Sequence, residues 1–248
     1  MLKVSIITAS YNVAGTIRQT IESVLAQDYP NVEYWVIDGG STDGTLAILQ
    51  EYADRIQFIS EPDKGIYNAI NKGLTRVTGD VIGMIGADDF YPSNDVLSAV
   101  AQQFQQTDAW AVYGDNQYVS AENPNKIIRN WKSGNYHNSN WLFGWMPPHL
   151  SFYASRKLLD AVGLYREDFS CAGDYEWMLR ALYNQERKVV YLPKVLMHMR
   201  TGGTSNASLK HRLTANREDR IAWKMNGFKP YFFTLWLKPL RKIFQYFV

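Results

Sequence analysis

The chain has 248 residues, enough for one large domain, and its 46% hydrophobic and 20% charged residues are the balance of a folded globular protein, not a disordered one. Its 26 Lys and Arg against 24 Asp and Glu leave a formal charge of +2, which argues against a general nucleic-acid binder, because neutralising phosphates needs a concentrated basic surface. The single cysteine, Cys171, rules out an intrachain disulfide and a Cys-rich zinc site and fits a reducing compartment; it reads as a small buried residue.

Met1–Ser10 is apolar but too short for a signal-peptide core, and it reads as a strand. Within it, Val4–Ala9 is a continuous apolar run of the kind buried on both faces of a parallel sheet. Ile17, Ile21, Val24 and Leu25 follow at helical spacing, then Val32–Ile37 as a strand and Leu46–Tyr52 as a helix. Ile56–Ile59, Tyr67–Leu74 and Val81–Ile85 continue the alternation as strand, helix and strand. Repeated β-α-β order with short links predicts a mostly parallel α/β sheet covered by helices. Beyond about Pro92 the spacing predicts a helix over Val96–Phe104, strands at Trp110–Tyr113 and Gln117–Val119, helices at Arg156–Val162 and Tyr175–Leu182, and short strands at Lys188–Tyr191 and Val195–Met199. Asn130–Pro148, rich in Trp, Asn and Gly without a period, reads as a functional loop region in which Trp131, Trp141 and Trp145 either shape a pocket or pack in the core.

The end of the chain differs in charge. Arg220–Val248 holds six cations and no acid, so residues 1–219 keep 20 cations against 24 acids and are mildly acidic. In Tyr231–Phe247, Thr234, Lys238, Arg241 and Gln245 form one polar stripe on an otherwise apolar and aromatic helix that Pro239 should kink. That pattern suits a segment lying in a bilayer interface, or else a helix packed on protein. No stretch approaches the ~20 apolar residues of a membrane span. The natural division is a domain over 1–205, with halves 1–115 and 116–205, and a helical basic and aromatic tail over 206–248.

Ligands of open α/β sheets bind beyond the carboxyl ends of the strands. Here those ends carry Thr8-Ala9-Ser10-Tyr11-Asn12, Asp38-Gly39-Gly40-Ser41-Thr42-Asp43-Gly44, Glu61-Pro62-Asp63-Lys64-Gly65 and Gly86-Ala87-Asp88-Asp89. Adjacent carboxylates repel, so Asp88-Asp89 calls for a compensating cation, ligand or solvent, and hard oxygen donors suit Mg²⁺ or Mn²⁺ together with a diphosphate; a helix-capping turn is the plainer account. Asp38 can accept from a nucleobase or ribose, and Ser41 or Asp43 can cap the next helix. Neither a G-x-G-x-x-G fingerprint nor a Walker loop is present. Asp174 opens an amphipathic helix, either as an N-cap or as a general base, whereas Glu176 points elsewhere. Arg200 can meet a phosphate and His198 can complete a metal shell, while His149 reads as structural.

Together, VSIITASYN, VIDGGSTDGT, EPDKGIYNAINKGL, GADD, MPPHLSFYASRKLLDAVGLYRED and AGDYEWMLRAL resemble the family 2 glycosyltransferases of the GT-A fold over roughly residues 3 to 205. Within that family the chain is similar to bacterial enzymes that build capsule, exopolysaccharide or O-antigen units. The resemblance implies an inverting, metal-dependent sugar transfer from a nucleotide-sugar donor to a saccharide or polyprenyl-linked acceptor, at the inner face of the cell membrane in the cytoplasm. It implies that Tyr11 and Asp38 hold the base, with the backbone of Thr8 and Ala9. It places Asp63 and Lys64 beside the nucleotide or donor sugar, Asp89 on the metal with Asp88 on ribose or metal-bound water, and Asp174 as the base. Gly173 departs from the pattern, since many members carry a second acid there. A nucleotidyltransferase or a non-catalytic sugar-nucleotide-binding module is the alternative; TASYN lacks the Gly-rich basic loop that the first of these needs.

Overall fold

The computed structural model describes residues 1–202 and 209–244; Gly203 and Thr204 of the loop after Arg200, and Gln245 of the tail stripe, lie outside the described residues. The first half follows the predicted alternation: β1 (Val4–Ser10), α1 (Ile17–Leu25), β2 (Val32–Asp38), α2 (Thr45–Glu51), β3 (Gln57–Ser60), α3 (Ile66–Leu74) and β4 (Val81–Met84). Strands β3, β2, β1 and β4 lie side by side in parallel, in register from Ser10 opposite Asp38 and Asp38 opposite Ser60. Alternate residues of β1 feed opposite layers. Val4 and Ile6 pack with Ile17 and Ile21 of α1 and Leu49 of α2, whereas Ile7 packs with Ile70 and Leu74 of α3.

The second half is α4 (Val96–Thr107), β5 (Ala111–Val119), β6 (Ile127–Trp131), β7 (Phe152–Ser155), α5 (Arg156–Val162), α6 (Gly173–Leu182), β8 (Val189–Arg200), α7 (Leu209–Met225) and α8 (Thr234–Phe244). β7 inserts antiparallel between β4 and β5, β6 pairs antiparallel with the end of β5, and β8 runs parallel along β5, giving an eight-stranded, mostly parallel sheet. Two expectations change here. The pair of strands predicted around 110–119 is one strand, and so is the pair around 188–199. Gly114 and Pro193 interrupt the apolar pattern, and the ladder accommodates them as register shifts on either side of Asp115. The Asn130–Pro148 region contains the end of β6 and a 3₁₀ segment over Asn138–Phe143, and Trp141 and Trp145 are buried in the core beside Tyr175 and Tyr113, respectively. They do not line an open pocket. Cys171 is only partly buried.

The C-terminal helices join the same body. Ala222 and Trp223 of α7 are buried in the cluster that also holds Trp177 and Leu182, and the Trp223 indole N–H donates to the Tyr175 hydroxyl at 2.8 Å. On α8 the first two residues of the predicted stripe are turned inward, whereas Arg241 is exposed. Thr234 is buried and donates to the Leu142 carbonyl at 2.6 Å, and Lys238 makes a double contact of 2.8 Å with the buried Asp219 and lies over the Tyr175 ring. Trp236 and Leu240, one helical turn apart, and Phe232 in the turn just before the helix face out, with Phe232 at 92% and Trp236 at 66% exposure. A cation's pairing with a buried carboxylate thus outranks the hydrophobic preference of the helix face. Helix α8 runs through position 239 without a break, and among the described residues no helix is long and apolar enough to cross a membrane.

Candidate active site

The parallel strands end on one rim, and the turns beyond them are fixed by their own polar groups. Asp38, the last residue of β2, is buried, and its carboxylate accepts five hydrogen bonds: from Ser10 Oγ and Ser41 Oγ on Oδ1, and from Gly40 N–H, Ser41 N–H and Ser60 Oγ on Oδ2. Burial alone raises an acid's pKa, but these donors outweigh it and hold Asp38 below the usual carboxylate range. Every lone-pair direction is therefore taken, and Asp38 clamps β1, β2 and β3 together instead of offering an acceptor to a base, contrary to the expected contact. Its stabilising contribution is complete above the unfolded-chain value near pH 4 and is lost as pH falls through the depressed folded value. Asp38→Asn leaves several of these donors unmet, for an expected cost of about 3 kcal/mol, or ~6–12 °C in Tm for a chain of this size, checked by thermal melts at neutral pH. The melts of wild type and variant should converge as the pH is lowered below about 4.

Thr8 and Ala9 pair with Val36 and Ile37 within the ladder, and the Thr8 hydroxyl faces Tyr34 at 2.9 Å, so both stop short of the rim. Tyr11 stands outside it, 63% exposed. Asn12 beside it takes a left-handed φ of 52° and ties the two turns by accepting the Thr42 N–H and donating its own N–H to Ser41 Oγ. Asp43, not Ser41, serves the start of α2: it accepts the Thr45 N–H at 3.0 Å and the Ala14 N–H at 2.9 Å.

The acidic turn after β4 is held from three sides. Thr16, just before α1, and Thr20 of α1 donate to the Ala87 carbonyl, and Thr20 also donates to the Asp89 carbonyl. From β8, the Arg200 N–H donates to Asp89 Oδ1 at 3.0 Å, while its guanidinium bonds the Asp88 carbonyl and Gln19 Oε1 and covers the Phe90 ring. Gly86 matters here because a Cβ at that position would collide with Asp89 Oδ2 and meet Asp88 Oδ1 at 3.2 Å, so oxygens of both carboxylates converge on one side of the turn. Asp89 is only 3% exposed, and burial first, with the Asp88 charge second, pushes its pKa up to about 8. The expected three-ligand set does not form. The His198 imidazole shares a hydrogen bond of 3.0 Å with Gln117 Oε1, its backbone bridges Phe90, and among the described residues no group of three His, Cys, Asp or Glu side chains comes together to hold a metal ion. Arg200 is likewise spent on the turn, holding it in place from β8. The two converging carboxylates still fit a hard divalent cation whose remaining ligands come from a bound diphosphate: they are oxygen donors, and a cation there supplies the charge that Asp89 otherwise meets with a proton.

Asp174 is the second residue of α6, one step inside the helix, so it is not the N-cap. That end is closed by Glu218 of α7, which accepts the N–H groups of Ser170, Cys171 and Ala172 and the Ser170 hydroxyl at 2.7–2.9 Å. Asp174 Oδ1 accepts from the Tyr67 hydroxyl at 3.4 Å. Tyr67 is the second residue of α3, so two helix starts meet at this rim. A Cβ at Gly173 would meet the Tyr67 ring at 2.7 Å, so the ring fills the space that a second acid would claim. Glu176 is buried and paired with Arg180 at 2.8 Å. His149 shares a hydrogen bond of 2.9 Å with the Tyr165 hydroxyl, and burial lowers its pKa while the Asp174 charge opposes that shift. Thr16, Gln19, Thr20, Tyr67 and Glu218 carry no motif, because each acts across 46 to 181 residues of sequence.

Residues 5–163 match the profile of Glycosyl transferase family 2. The chain belongs to the family 2 glycosyltransferases. An uncharacterised glycosyltransferase of Mycobacterium tuberculosis is 30% identical over 188 residues, covering 72% of this chain and 68% of the relative. A PGL/p-HBAD biosynthesis glycosyltransferase of Mycobacterium bovis is 29% identical, covering 82% and 78%. Among solved structures, Staphylococcus aureus TarS 1–349 in complex with UDP-GlcNAc superposes with a TM-score of 0.69 at 18% identity, over 91% of this chain and 65% of that one. The mannosyltransferase PcManGT from Pyrobaculum calidifontis, in complex with GDP-Man and Mn²⁺, gives a TM-score of 0.67 at 18% identity, over 96% and 72%. These neighbours share the fold of this glycosyltransferase. The family match ends before α6, so the setting of Asp174 rests on the structure.

Proposed function

We propose that this glycosyltransferase moves a sugar from a nucleoside-diphosphate donor to a hydroxyl of a glycan or lipid-linked acceptor, with inversion at the anomeric carbon. The observation that carries the reading is the convergence of Asp88 and Asp89 on one side of a turn braced by α1 and β8, at the rim where the starts of α3 and α6 also meet. Two fold neighbours in complex with nucleotide sugars, UDP-GlcNAc in one and GDP-Man with Mn²⁺ in the other, support it. Asp88 and Asp89 would hold a divalent cation, which when bound neutralises charge on the departing diphosphate. Asp174 holds Oδ1 against the Tyr67 hydroxyl and keeps Oδ2 for the proton of the acceptor hydroxyl. The acceptor oxygen attacks the anomeric carbon as the bond to the diphosphate breaks, and Asp174 takes up the proton. Among the described residues no nucleophile is paired with a base in the way a covalent intermediate needs, which favours a single displacement. The direct test is mass-spectrometric and NMR analysis of product formed from a panel of nucleotide sugars: inverted product supports the reading, and retained configuration overturns it.

The outward face of α8 supports docking at an anionic bilayer surface. Phe232, Trp236 and Leu240 are exposed, Lys224, Lys229 and Arg241 are exposed near them in sequence, and no acid occurs after Asp219. Trp236→Ser with Phe232→Ser is expected to cut co-sedimentation with phosphatidylglycerol vesicles about tenfold or more, since each aromatic contributes ~1.5–3 kcal/mol when buried. Sedimentation unchanged by the double substitution contradicts membrane docking through this face.

A further inference from the structure

The turns before α2 and α3 are held by acids of their own. Asp43 serves the start of α2, and ahead of α3 Asp63 Oδ1 accepts the Gly65 N–H at 2.8 Å while Asn68 Oδ1 accepts the Lys64 N–H at 3.2 Å. The loop before α6 has no such group. Ser170-Cys171-Ala172-Gly173 carries no carboxylate, its N-cap residue is Ala172, and Gly173 opens the helix without a side chain. That sequence does little to pin its own backbone. Yet Asp174 comes next, and its Oδ1 contact with the Tyr67 hydroxyl is long at 3.4 Å, against about 2.5–3.0 Å for an ordinary O–H···O bond. Where the Asp174 carboxylate stands is therefore decided by the backbone that carries it.

Helix α7 supplies the missing acid. Glu218 Oε1 accepts the Ser170 N–H at 2.9 Å and the Ser170 hydroxyl at 2.7 Å, and Oε2 accepts the Cys171 and Ala172 N–H groups, both at 2.8 Å. Three successive N–H groups wrapped round one carboxylate form a backbone nest, filled here by the protein's own side chain. Glu218 is buried, but these donors outweigh burial and hold its pKa below the ordinary range, so it is a carboxylate at neutral pH. The same helix grips the far side of Asp174: the Trp223 indole N–H donates to the Tyr175 hydroxyl at 2.8 Å, and Asn226 Nδ2 donates to Glu176 Oε1 at 3.2 Å. Residues 170–172 and 175–176 are thus both pinned to α7, with Asp174 between them. The family match ends at residue 163, so none of these contacts belongs to it.

Resting on the reading of Asp174 as the general base, we infer that Glu218 is a positioning residue for the reaction: it sets the aim of Asp174 by holding the loop ahead of α6, which makes α7 part of the frame of the active site. A base delivers its full factor only within hydrogen-bond reach of the acceptor hydroxyl, and a misplacement near 1 Å costs up to about 10²-fold.

The test is a double-substitution cycle on the full chain. Turnover is read as nucleoside diphosphate released from a panel of UDP-, dTDP- and GDP-sugars with Mn²⁺. Calorimetric titration with UDP, dTDP or GDP, matched to the sugar turned over, gives the nucleotide Kd and the fraction of chains able to bind. Glu218→Gln keeps the length of the side chain but turns an amide N–H₂ toward part of the nest. It is expected to lower kcat per binding-competent chain about tenfold or more, with the nucleotide Kd within about twofold of wild type. In an Asp174→Asn background the same substitution should change turnover by less than about twofold, because the base through which it acts is gone. Ser170→Ala, at an exposed position, removes only the hydroxyl donor; it is expected to fold as wild type does and to lose about two- to fivefold in kcat, with the same dependence on Asp174. This variant carries the test should Glu218→Gln not fold. A merely structural role would lower the fraction able to bind, and its loss would persist undiminished without Asp174. Wild-type kcat per competent chain in both variants, or losses that multiply with that of Asp174→Asn, overturn the inference and leave the base reading intact. Full turnover in Asp174→Asn overturns the base reading and the inference with it. A wild type that releases nucleoside diphosphate from no member of the panel overturns the donor reading beneath both.

Discussion

Asp174→Asn is expected to lower sugar transfer by about 10²–10⁴-fold, the usual worth of a positioned general base, while changing the Kd for the donor nucleotide by no more than about twofold. The substitution is close to silent in structure. An Asn carbonyl still accepts from the Tyr67 hydroxyl, and the helix start is closed by Glu218, so neither the rotamer nor α6 depends on the lost charge. What disappears is the second oxygen, the only part of the residue assigned to the acceptor's proton. A fall in kcat with an unchanged nucleotide Kd is the signature of a group acting on the acceptor side. Unchanged turnover removes Asp174 as the base.

Asp89→Asn is expected to abolish both turnover and the stabilisation that a divalent cation and nucleoside diphosphate confer together. The local cost is small, because the Asn carbonyl can still accept the Arg200 N–H, and the buried carboxyl it replaces is one whose pKa burial and the Asp88 charge push up to about 8. In EDTA near pH 7 the variant should therefore melt no lower than wild type. A variant that loses stability in EDTA marks Asp89 as a structural residue; one that keeps turnover separates the acidic turn from the chemistry. Asp88→Asn is expected to be milder, since Asp88 is less buried and contributes to the pair from its rim.

How much of this was legible in the sequence follows from the distance over which each interaction acts. The β1-to-β4 half was readable because its strands are short and mainly apolar and its helices repeat buried residues three or four apart, as Ile17, Ile21 and Val24 do. Strands β5 and β8 were split in the reading because Gly114 and Pro193 look like strand ends, whereas the sheet absorbs them as register shifts. The acidic turn was visible as Asp88-Asp89 after a strand, but its braces, Thr16, Thr20 and Arg200, come from α1 with the residue before it and from β8, and leave no periodic mark. Asp38 misled for a related reason: a strand-end acid looks available until Ser10, Ser41 and Ser60 are brought to it by the register of three strands. The tail shows the limit of amphipathic patterning. A polar stripe identifies a face without saying which side it takes, and Asp219, fifteen residues ahead of Thr234, decided that Lys238 should face inward.

The claim beneath all of this is that the rim grips a cation together with the diphosphate of a donor. Thermal denaturation of the full chain with UDP, dTDP or GDP, each with and without Mn²⁺, tests it most directly. At ligand concentrations near 100 times Kd, nucleotide plus Mn²⁺ should raise Tm by about 5–11 °C, well beyond the sum of the two added separately. No rise with any of the three nucleotides, or the same rise in EDTA as in Mn²⁺, contradicts it.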